Sequence, residues 1–177
     1  SVPEPQHIFS IMIEKGILDE VFPPIEIEGL SKVITAEKKY SVSPSHLVRL
    51  FSLNKSIGKK WAHYVSLTSN EAKILEFIKE SLAHYKDLKT VAYKFGRVVA
   101  EGWLLNYHDG SSEMIPSKIS EIIDNGCNAF FPISGVDLLE EMEEGPELGR
   151  QMERLEKLWI KSGFKMSKEE LLSKSKS

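Results

Sequence analysis

The sequence contains a single cysteine and no long apolar run. Cys127 cannot form a disulfide within the chain, and no CxxC or Cys/His spacing around it would hold a metal ion. No segment approaches the roughly 18 consecutive apolar residues of a membrane-spanning helix, and the N-terminal residues lack the charged and then apolar pattern of a signal peptide. We therefore expect a soluble, cytoplasmic protein without a membrane partner.

The chain also lacks the motifs that carry nucleotide and metal chemistry. It contains no GxxxxGKS/T or GxGxxG loop for phosphate, no HExxH metal motif and no Asp-x-Asp pair of the kind used in two-metal phosphoryl transfer. The acidic block of residues 140–147 is dense enough to attract a cation, but glutamates on a solvated helix face are the simpler interpretation. The sequence thus predicts no catalytic residue and no metal site in this chain.

Positive and negative charges nearly balance over the whole chain. Lys and Arg number 23 against 26 Asp and Glu, which gives a formal net charge of -3 at pH 7. Such a chain has no overall electrostatic attraction to nucleic acids or to anionic membranes. Any site for a polyanion must therefore be local.

Apolar residues recur at helical spacing in nearly every segment, and no segment shows the alternation of a half-buried strand. The sequence therefore predicts an all-α protein, an irregular multi-helix array followed by a smaller helical domain. A continuous helix is expected over about residues 88–107, with Val91, Phe95 and the Val98–Val99 pair on one stripe. The other helix signals are a terminating Gly16, a start at Ser43-Pro44, and capping boxes at Thr68 with Glu71 and at Ser167 with Glu170.

Turn-forming residues interrupt the helical pattern at His108–Ser112, which is the best candidate for a domain boundary. Within the C-terminal part, residues 129–132 are predicted to form a short extended apolar plug, because Pro132 disfavours a helix before it. A long helix should then run from Gly145-Pro146 to Gly163. Three parts are expected: a helical body domain at 1–110, a connecting helix at 111–126 and a helical tail domain at 127–177.

The long predicted helix carries two parallel rows of residues. At about 100° per residue, the two-residue offset between them is about 200°, so the second row points away from the core. Such a row either forms an ordinary exposed helix face, with Glu153 and Lys157 as an i,i+4 pair, or follows the phosphates of an RNA backbone. The apolar row is Leu148, Met152, Leu155 and Trp159, and the second row, which we call the basic row, is Arg150, Arg154, Lys157 and Lys161.

Two further groups would extend a basic surface. Lys59 and Lys60 adjoin Trp61, a combination in which the cations hold phosphate while the aromatic ring stacks on a base. Arg97 follows Gly96, where the small residue would allow the close approach of another backbone. In both groups an ordinary core or surface role is the alternative.

The segment FPISGVDLLEEMEEGPELGRQMERLEKLWIKSGF, Phe131 to Phe164, resembles the C-terminal tail of bacterial class II tRNA nucleotidyltransferases (CCA-adding enzymes) and of their poly(A) polymerase relatives. The similarity lies in an apolar-Ser-Gly-x-Asp-Leu-Leu turn at Ile133–Leu139 and a Gly-Pro-x-x-Gly helix start at Gly145–Gly149. Upstream, Leu67–Glu71 and Tyr93–Arg97 are similar to further segments of the family, in the same order. The chain departs from the family where glutamates run directly into Gly145-Pro146, without the family's usual preceding glycine.

The resemblance implies that the chain is the RNA-binding body and tail of a longer enzyme, whose catalytic head and nucleotide-selecting neck would precede residue 1. Such an enzyme adds C, C and A, or A alone, to RNA 3′ ends, and its head binds Mg²⁺ with ATP and CTP. The fragment alone is expected to bind no cofactor and to be inactive. The implied partner is tRNA, held through its phosphate backbone by the basic row and by Arg97, Lys59 and Lys60. The alternative is a stand-alone helical module that binds a protein partner.

Overall fold

The computed structural model of the protein describes residues 6–18, 25–55, 64–107, 118–139 and 145–175. Every regular element within these ranges is a helix, which confirms the all-α prediction. The helices in these ranges are α1 (Gln6–Glu14), α2 (Ile27–Tyr40), α3 (His46–Leu53), α4 (Ser69–His84), α5 (Leu88–Phe95), α6 (Arg97–Tyr107), α7 (Ile119–Cys127), α8 (Gly135–Leu138), α9 (Pro146–Lys161) and α10 (Lys168–Ser175).

The chain divides into two compact units, Ser1–Cys127 and Asn128–Ser177. Helix α7 belongs to the first unit, where it packs against α5. Its Ile123 side chain is buried, and a Cβ atom at Gly126 would lie 2.5 Å from a backbone carbonyl oxygen of α5, so the two helices approach closely. The segment 111–126, expected to connect two domains, therefore contributes its helix to the body.

The core of the first unit is built from the apolar faces of α2 to α7. Helix α6 packs against α4, α5 and α2 and so lies at the centre of this array. Phe51, Ile78 and Val91 are almost fully buried around it. A Cβ atom at Gly102 of α6 would lie 2.6 Å from the Ile78 side chain. The absence of a side chain at Gly102 thus lets α4 and α6 pack at short range.

A buried ion pair joins α2 and α3. The Arg49 guanidinium donates to both carboxylate oxygens of Glu37, with Nη2 2.7 Å from Oε2 and Nε 3.1 Å from Oε1. The Arg49 and Glu37 side chains are only 10% and 4% exposed. Because a buried charge without a partner is strongly unfavourable, each member of this pair depends on the other.

Two helix ends of the first unit form as the sequence predicts. After α1, Gly16 adopts φ +66°, and the Ile17 N–H donates to the Met12 carbonyl in a Schellman motif. At the start of α4, the Thr68 N–H donates to Glu71 Oε2 at 2.8 Å, and the Glu71 N–H donates to Thr68 Oγ1 at 3.3 Å. These reciprocal bonds form the predicted capping box.

Two helix starts differ from the sequence signals. Helix α2 begins after Glu26, which makes no side-chain cap hydrogen bond, so the helix lacks an N-cap residue by which its start would be recognised. Helix α3 begins after Ser45 and not at Ser43-Pro44. Ser45 has an extended backbone with φ -113°, which delays the helix by two residues.

The continuous helix predicted over residues 88–107 is wrong. Gly96 adopts φ +82°, a conformation incompatible with a right-handed helix, and it separates α5 from α6. Of the Val98–Val99 pair on the predicted apolar stripe, Val99 is buried, whereas Val98 is 42% exposed.

The second unit is centred on Trp159 of α9. The rings of Phe131 and Phe164 pack against the Trp159 ring, with centroid distances of 5.5 and 4.9 Å. The predicted apolar plug is only partly correct, because Phe130 is 84% exposed. Successive side chains of an extended segment point to opposite sides, so Phe131 faces the core and Phe130 faces solvent.

Asp137 ties the short helix α8 to α10. Its Oδ2 accepts hydrogen bonds from the N–H and the Oγ of Ser134, both at 2.9 Å, and its Oδ1 accepts one from Lys168 Nζ at 2.6 Å. The Lys168 bond first, and then the Ser134 bonds, lower the pKa of Asp137 to about 2. Helix α10 itself starts with the predicted capping box of Ser167 and Glu170.

Candidate nucleic-acid interface

Helix α9 begins and ends where the sequence predicts, which determines how its side chains project. Pro146 takes the first helical position, where a missing N–H costs no hydrogen bond. At the C-terminus, Gly163 adopts φ +73°, and the Phe164 N–H donates to the Trp159 carbonyl at 3.0 Å. This is a Schellman motif, and the Phe164–Trp159 ring contact is its usual apolar contact.

The two rows of α9 lie on opposite faces. Leu155 and Trp159 are buried, and the other two members of the apolar row are partly buried. All four cations of the basic row are exposed. The predicted orientation of the basic row toward solvent is therefore confirmed.

Two cations of the basic row form ion pairs with glutamates of the same helix. Arg150 pairs with Glu147, and Lys157 lies 3.8 Å from Glu153. Side chains in both pairs are about 70% exposed, and exposed pairs contribute only about 0–1 kcal/mol. Because these exposed pairs are weak, and phosphate accepts the same charge-assisted hydrogen bonds as a carboxylate, phosphate oxygens can replace these glutamates.

Arg154 and Lys161 differ from the other two. The Arg154 guanidinium donates to the backbone carbonyl of Lys174 in α10. Lys161 is exposed, and it makes no ion pair with any residue in the described part of the second unit. The basic row thus contains one side chain that joins two helices and three that lie on the open surface.

Arg97, the candidate in the first unit, is held by two carboxylates. It donates to Glu101 at 3.2 Å and to Asp124 of α7, and these hydrogen bonds raise the pKa of its guanidinium. The expected close approach at Gly96 does not occur, because a Cβ atom there would have no neighbour within 4 Å. Gly96 instead provides the positive φ of the α5–α6 junction, and Arg97 links α6 to α7.

Three other predicted features lie outside the described residues. They are Lys59 with Lys60, the turn at His108–Ser112, and glutamates 140, 141, 143 and 144. Their predicted roles stay predictions.

Sequence reasoning missed the partners of α10. Gln151 Nε2 donates to the Ser175 carbonyl at 2.9 Å, beside the bond from Arg154 to Lys174. The acceptors are backbone atoms 20 or more residues away, and no side-chain pattern marks them. The capping box at the start of α10 was the available signal, since it predicts a helix whose last carbonyls need donors.

Neither metal clusters nor membrane spans occur in the part of the chain that the structure describes. There, no three His, Cys, Asp or Glu side chains converge as ligands of a metal ion. None of the described helices has the length and apolar character needed to cross a bilayer. Comparisons of the chain with protein-family models, with curated proteins and with solved structures found no match.

Proposed function

We propose that this chain is the tRNA-binding body and tail of a tRNA nucleotidyltransferase of the CCA-adding or poly(A) polymerase type. The observation that carries the proposal is the exposed basic row of α9, which lies within Phe131–Phe164, the segment with the most specific resemblance to that family. The cytoplasmic location, and the Mg²⁺, ATP and CTP of a preceding catalytic head, belong to the same proposal.

The basic row suits binding to the RNA backbone. From Arg150 to Lys161 it extends over about 16 Å along the helix, at 1.5 Å per residue. Double-helical RNA is recognised mainly through its shape and its sugar and phosphate groups, since its deep major groove excludes side chains. Exposed cations in a line meet this requirement without any base-reading groups.

Binding of the chain to tRNA across a salt series tests the proposal. Neutralising about four phosphates of double-helical RNA would make the logarithm of the binding constant fall with the logarithm of salt concentration with a slope of about -4. Fluorescence anisotropy of labelled tRNA measures this slope. Because the net charge is negative, we expect weak binding that is lost at high salt.

Charge reversal on α9 locates the binding surface. Lys157→Glu combined with Lys161→Glu should weaken binding strongly and reduce the magnitude of the salt slope by about 2. The matched control is Lys79→Glu combined with Lys86→Glu, two exposed lysines of the first unit with the same change of charge. If the two double variants reduce the RNA affinity equally, α9 is not part of the RNA-binding surface.

In a full-length parent enzyme, Lys157→Glu should raise the KM for tRNA and leave the KM for ATP nearly unchanged. The reason is that the nucleotide would bind in the head, far along the chain from α9. Arg154→Glu is a poorer test, since Arg154 also holds α10. A change in the KM for ATP alone would contradict a tRNA-binding role of the tail.

The alternative, a stand-alone protein-interaction module, is favoured by one observation. Ile8 and Ile11 are 52% and 45% exposed and lie three residues apart on α1, where they form an apolar surface. Such a module would show no salt-dependent affinity for tRNA, whatever the charge of α9. The anisotropy experiment therefore separates the two functions.

A further inference from the structure

The C-terminal turn of α10 is fixed beside the basic row of α9. Arg154 donates to the Lys174 carbonyl and Gln151 donates to the Ser175 carbonyl. The last carbonyls of a helix have no partners within it, and they carry its partial negative charge. The two side chains of α9 therefore cap α10, and the Arg154 cation offsets the charge that would otherwise repel phosphate there.

Positions around α9 show on which side α10 lies. Counted from the buried Leu155 at about 100° per residue, Gln151 lies about 40° to one side and Arg154 about 100° to the same side. Glu156 and Glu153 lie about 100° and 160° to the other side. Glu147 lies about 80° to the α10 side, but it is in the first turn of α9 and pairs with Arg150. Beyond that turn the basic row is bordered by acidic residues on one side and by α10 on the other, so a positive surface extends toward α10.

Lys174 is the cation that extends this surface. It follows the fully buried Leu171 by three residues, which places it at the edge of the face by which α10 packs, and its own side chain is exposed. The acidic residues Glu169 and Glu170 are in the first turn of α10, about 6–8 Å farther along the axis. The α10 end next to the basic row is therefore locally positive.

We infer that the RNA-binding surface spans two helices, with Lys174 of α10 contacting phosphate together with the exposed cations of the basic row, and with Arg154 as the positioning residue that holds α10 in place. The inference rests on the proposed function and adds a residue and a second helix to its site. The occupant is double-helical RNA, since cations spread over two adjacent helices match phosphates on both sides of a groove, whereas one strand needs only one line of charge.

The aromatic residues of this unit favour the same occupant. Binding of single strands relies on exposed aromatic rings that stack on successive bases. Trp159 packs with Phe131 and Phe164, and the basic row contains no aromatic residue. Phe130 is 84% exposed, but it lies in the segment before α8, and one ring does not provide a platform for successive bases. A stem-loop RNA should therefore bind more tightly than an unstructured oligouridine of equal length, and preference for the single strand would overturn the assignment to duplex.

Lys174→Glu tests the extended surface in the whole chain. With a labelled stem-loop RNA, it should weaken binding and lower the magnitude of the salt slope by about 1, as for one lost phosphate contact. The matched control is Lys165→Glu, an exposed lysine of the same unit that lies before α10. If Lys157→Glu weakens binding but Lys174→Glu has no more effect than Lys165→Glu, the inference fails and the proposed function stands. If the unmodified chain binds no RNA, the proposed function itself fails.

Arg154→Gln tests the positioning role with a readout that a simple phosphate contact would not change. Loss of the guanidinium should speed amide hydrogen exchange in the last turn of α10, whereas Lys157→Gln should leave exchange there unchanged. Arg154→Gln should also weaken RNA binding less in a Lys174→Gln background than alone, because Arg154 and Lys174 would both act through the last turn of α10. Unchanged exchange together with additive losses would make Arg154 an independent phosphate contact and overturn its positioning role.

Discussion

The two units of this chain are stabilised by different kinds of interaction. The first has a broad apolar core, a buried ion pair and helices that pack closely at glycines. The second, Asn128–Ser177, buries few side chains around Trp159, and it is stabilised also by capping boxes and by ion pairs such as that of Asp137 with Lys168. A short segment encloses less core per residue, so contacts near its surface carry more of its stability.

This difference matters for function because the candidate RNA surface lies on the small unit. Arg154 belongs to the basic row and also caps α10. In the first unit, by contrast, the ion pair of Arg49 and Glu37 is buried and unavailable to a ligand. Under the proposed function, Arg154 would therefore serve both stability and binding in the second unit.

The largest expected effect comes from breaking the buried pair of the first unit. Arg49→Ala leaves the Glu37 carboxylate buried without its partner, which should cost about 3–5 kcal/mol of unfolding free energy. Chemical denaturation followed by circular dichroism measures the loss. Replacing both residues, as Glu37→Leu with Arg49→Met, should restore much of the stability, and a double variant as unstable as Arg49→Ala would show that packing and not charge pairing dominates this site.

Close packing of α5 and α7 should be the next most sensitive feature. In Gly126→Ala the new Cβ would lie 2.5 Å from the Lys89 carbonyl oxygen and 2.6 Å from the Ala92 Cβ, so α7 must shift. Overpacking of this kind costs about 1–3 kcal/mol, which a lowered denaturation midpoint would report. An unchanged midpoint would mean that the body tolerates separation of these helices.

Acid should affect both units, because each contains a carboxylate whose pKa is strongly lowered in the folded chain. Hydrogen bonds from the backbone and side chain of Thr68, and then from His46, lower the pKa of Glu71 to about 2, while Lys168 and Ser134 do the same for Asp137. A lowered folded-state pKa contributes stability that is complete above the ordinary values of 4.5 and 3.8 and is lost as pH falls toward about 2.

We expect Asp137→Asn to remove part of the acid sensitivity of the second unit and Glu71→Gln to remove part of that of the first. Fluorescence of Trp159, in a chain whose other tryptophans are replaced by Phe, reports the second unit during an acid titration. If Asp137→Asn leaves the acid midpoint of that signal unchanged, the tie to Lys168 contributes little to stability.

The smallest expected effect is a gain. Gly149 lies within α9, its φ is not positive, and a Cβ atom there would meet nothing within 4 Å. Gly149→Ala should therefore stabilise the second unit by about 0.5–1 kcal/mol, because glycine loses more backbone entropy in a helix than alanine does. If Gly149→Ala raises and Gly126→Ala lowers the free energy of unfolding, the two variants distinguish an exposed helix position from a closely packed one.

Sequence reasoning succeeded where the deciding interactions are local. The capping boxes at Thr68 and Ser167, the terminating Gly16 and the solvent-facing basic row all follow from residues within a few positions of one another. It failed for the helix after Glu26, which starts without a cap, and at Gly96, whose positive φ separates two helices that share one apolar pattern.

The candidate site was foreseen only in part for the same reason. The exposure of Lys157 and Lys161 follows from the 3.6-residue period of a single amphipathic helix. The bond from Arg154 to the Lys174 carbonyl depends on where α10 packs, and the bond from Arg97 to Asp124 depends on the packing of α7, whereas Glu101 is four residues from Arg97 on the same helix. The local pattern of side chains does not predict where α7 and α10 pack.

The amino-acid sequence by itself determined the helices with clear caps and the faces of those helices, because capping hydrogen bonds and periodicity act over short stretches of chain. The resemblance on which the proposed function depends also lies in the sequence alone. Only the tertiary structure decided which charges are paired, as Glu37 with Arg49 and Asp137 with Lys168, and that Arg154 of α9 donates to the Lys174 carbonyl of α10. These partners are 12 to 31 residues apart, and helix packing alone brings them within a hydrogen bond of each other.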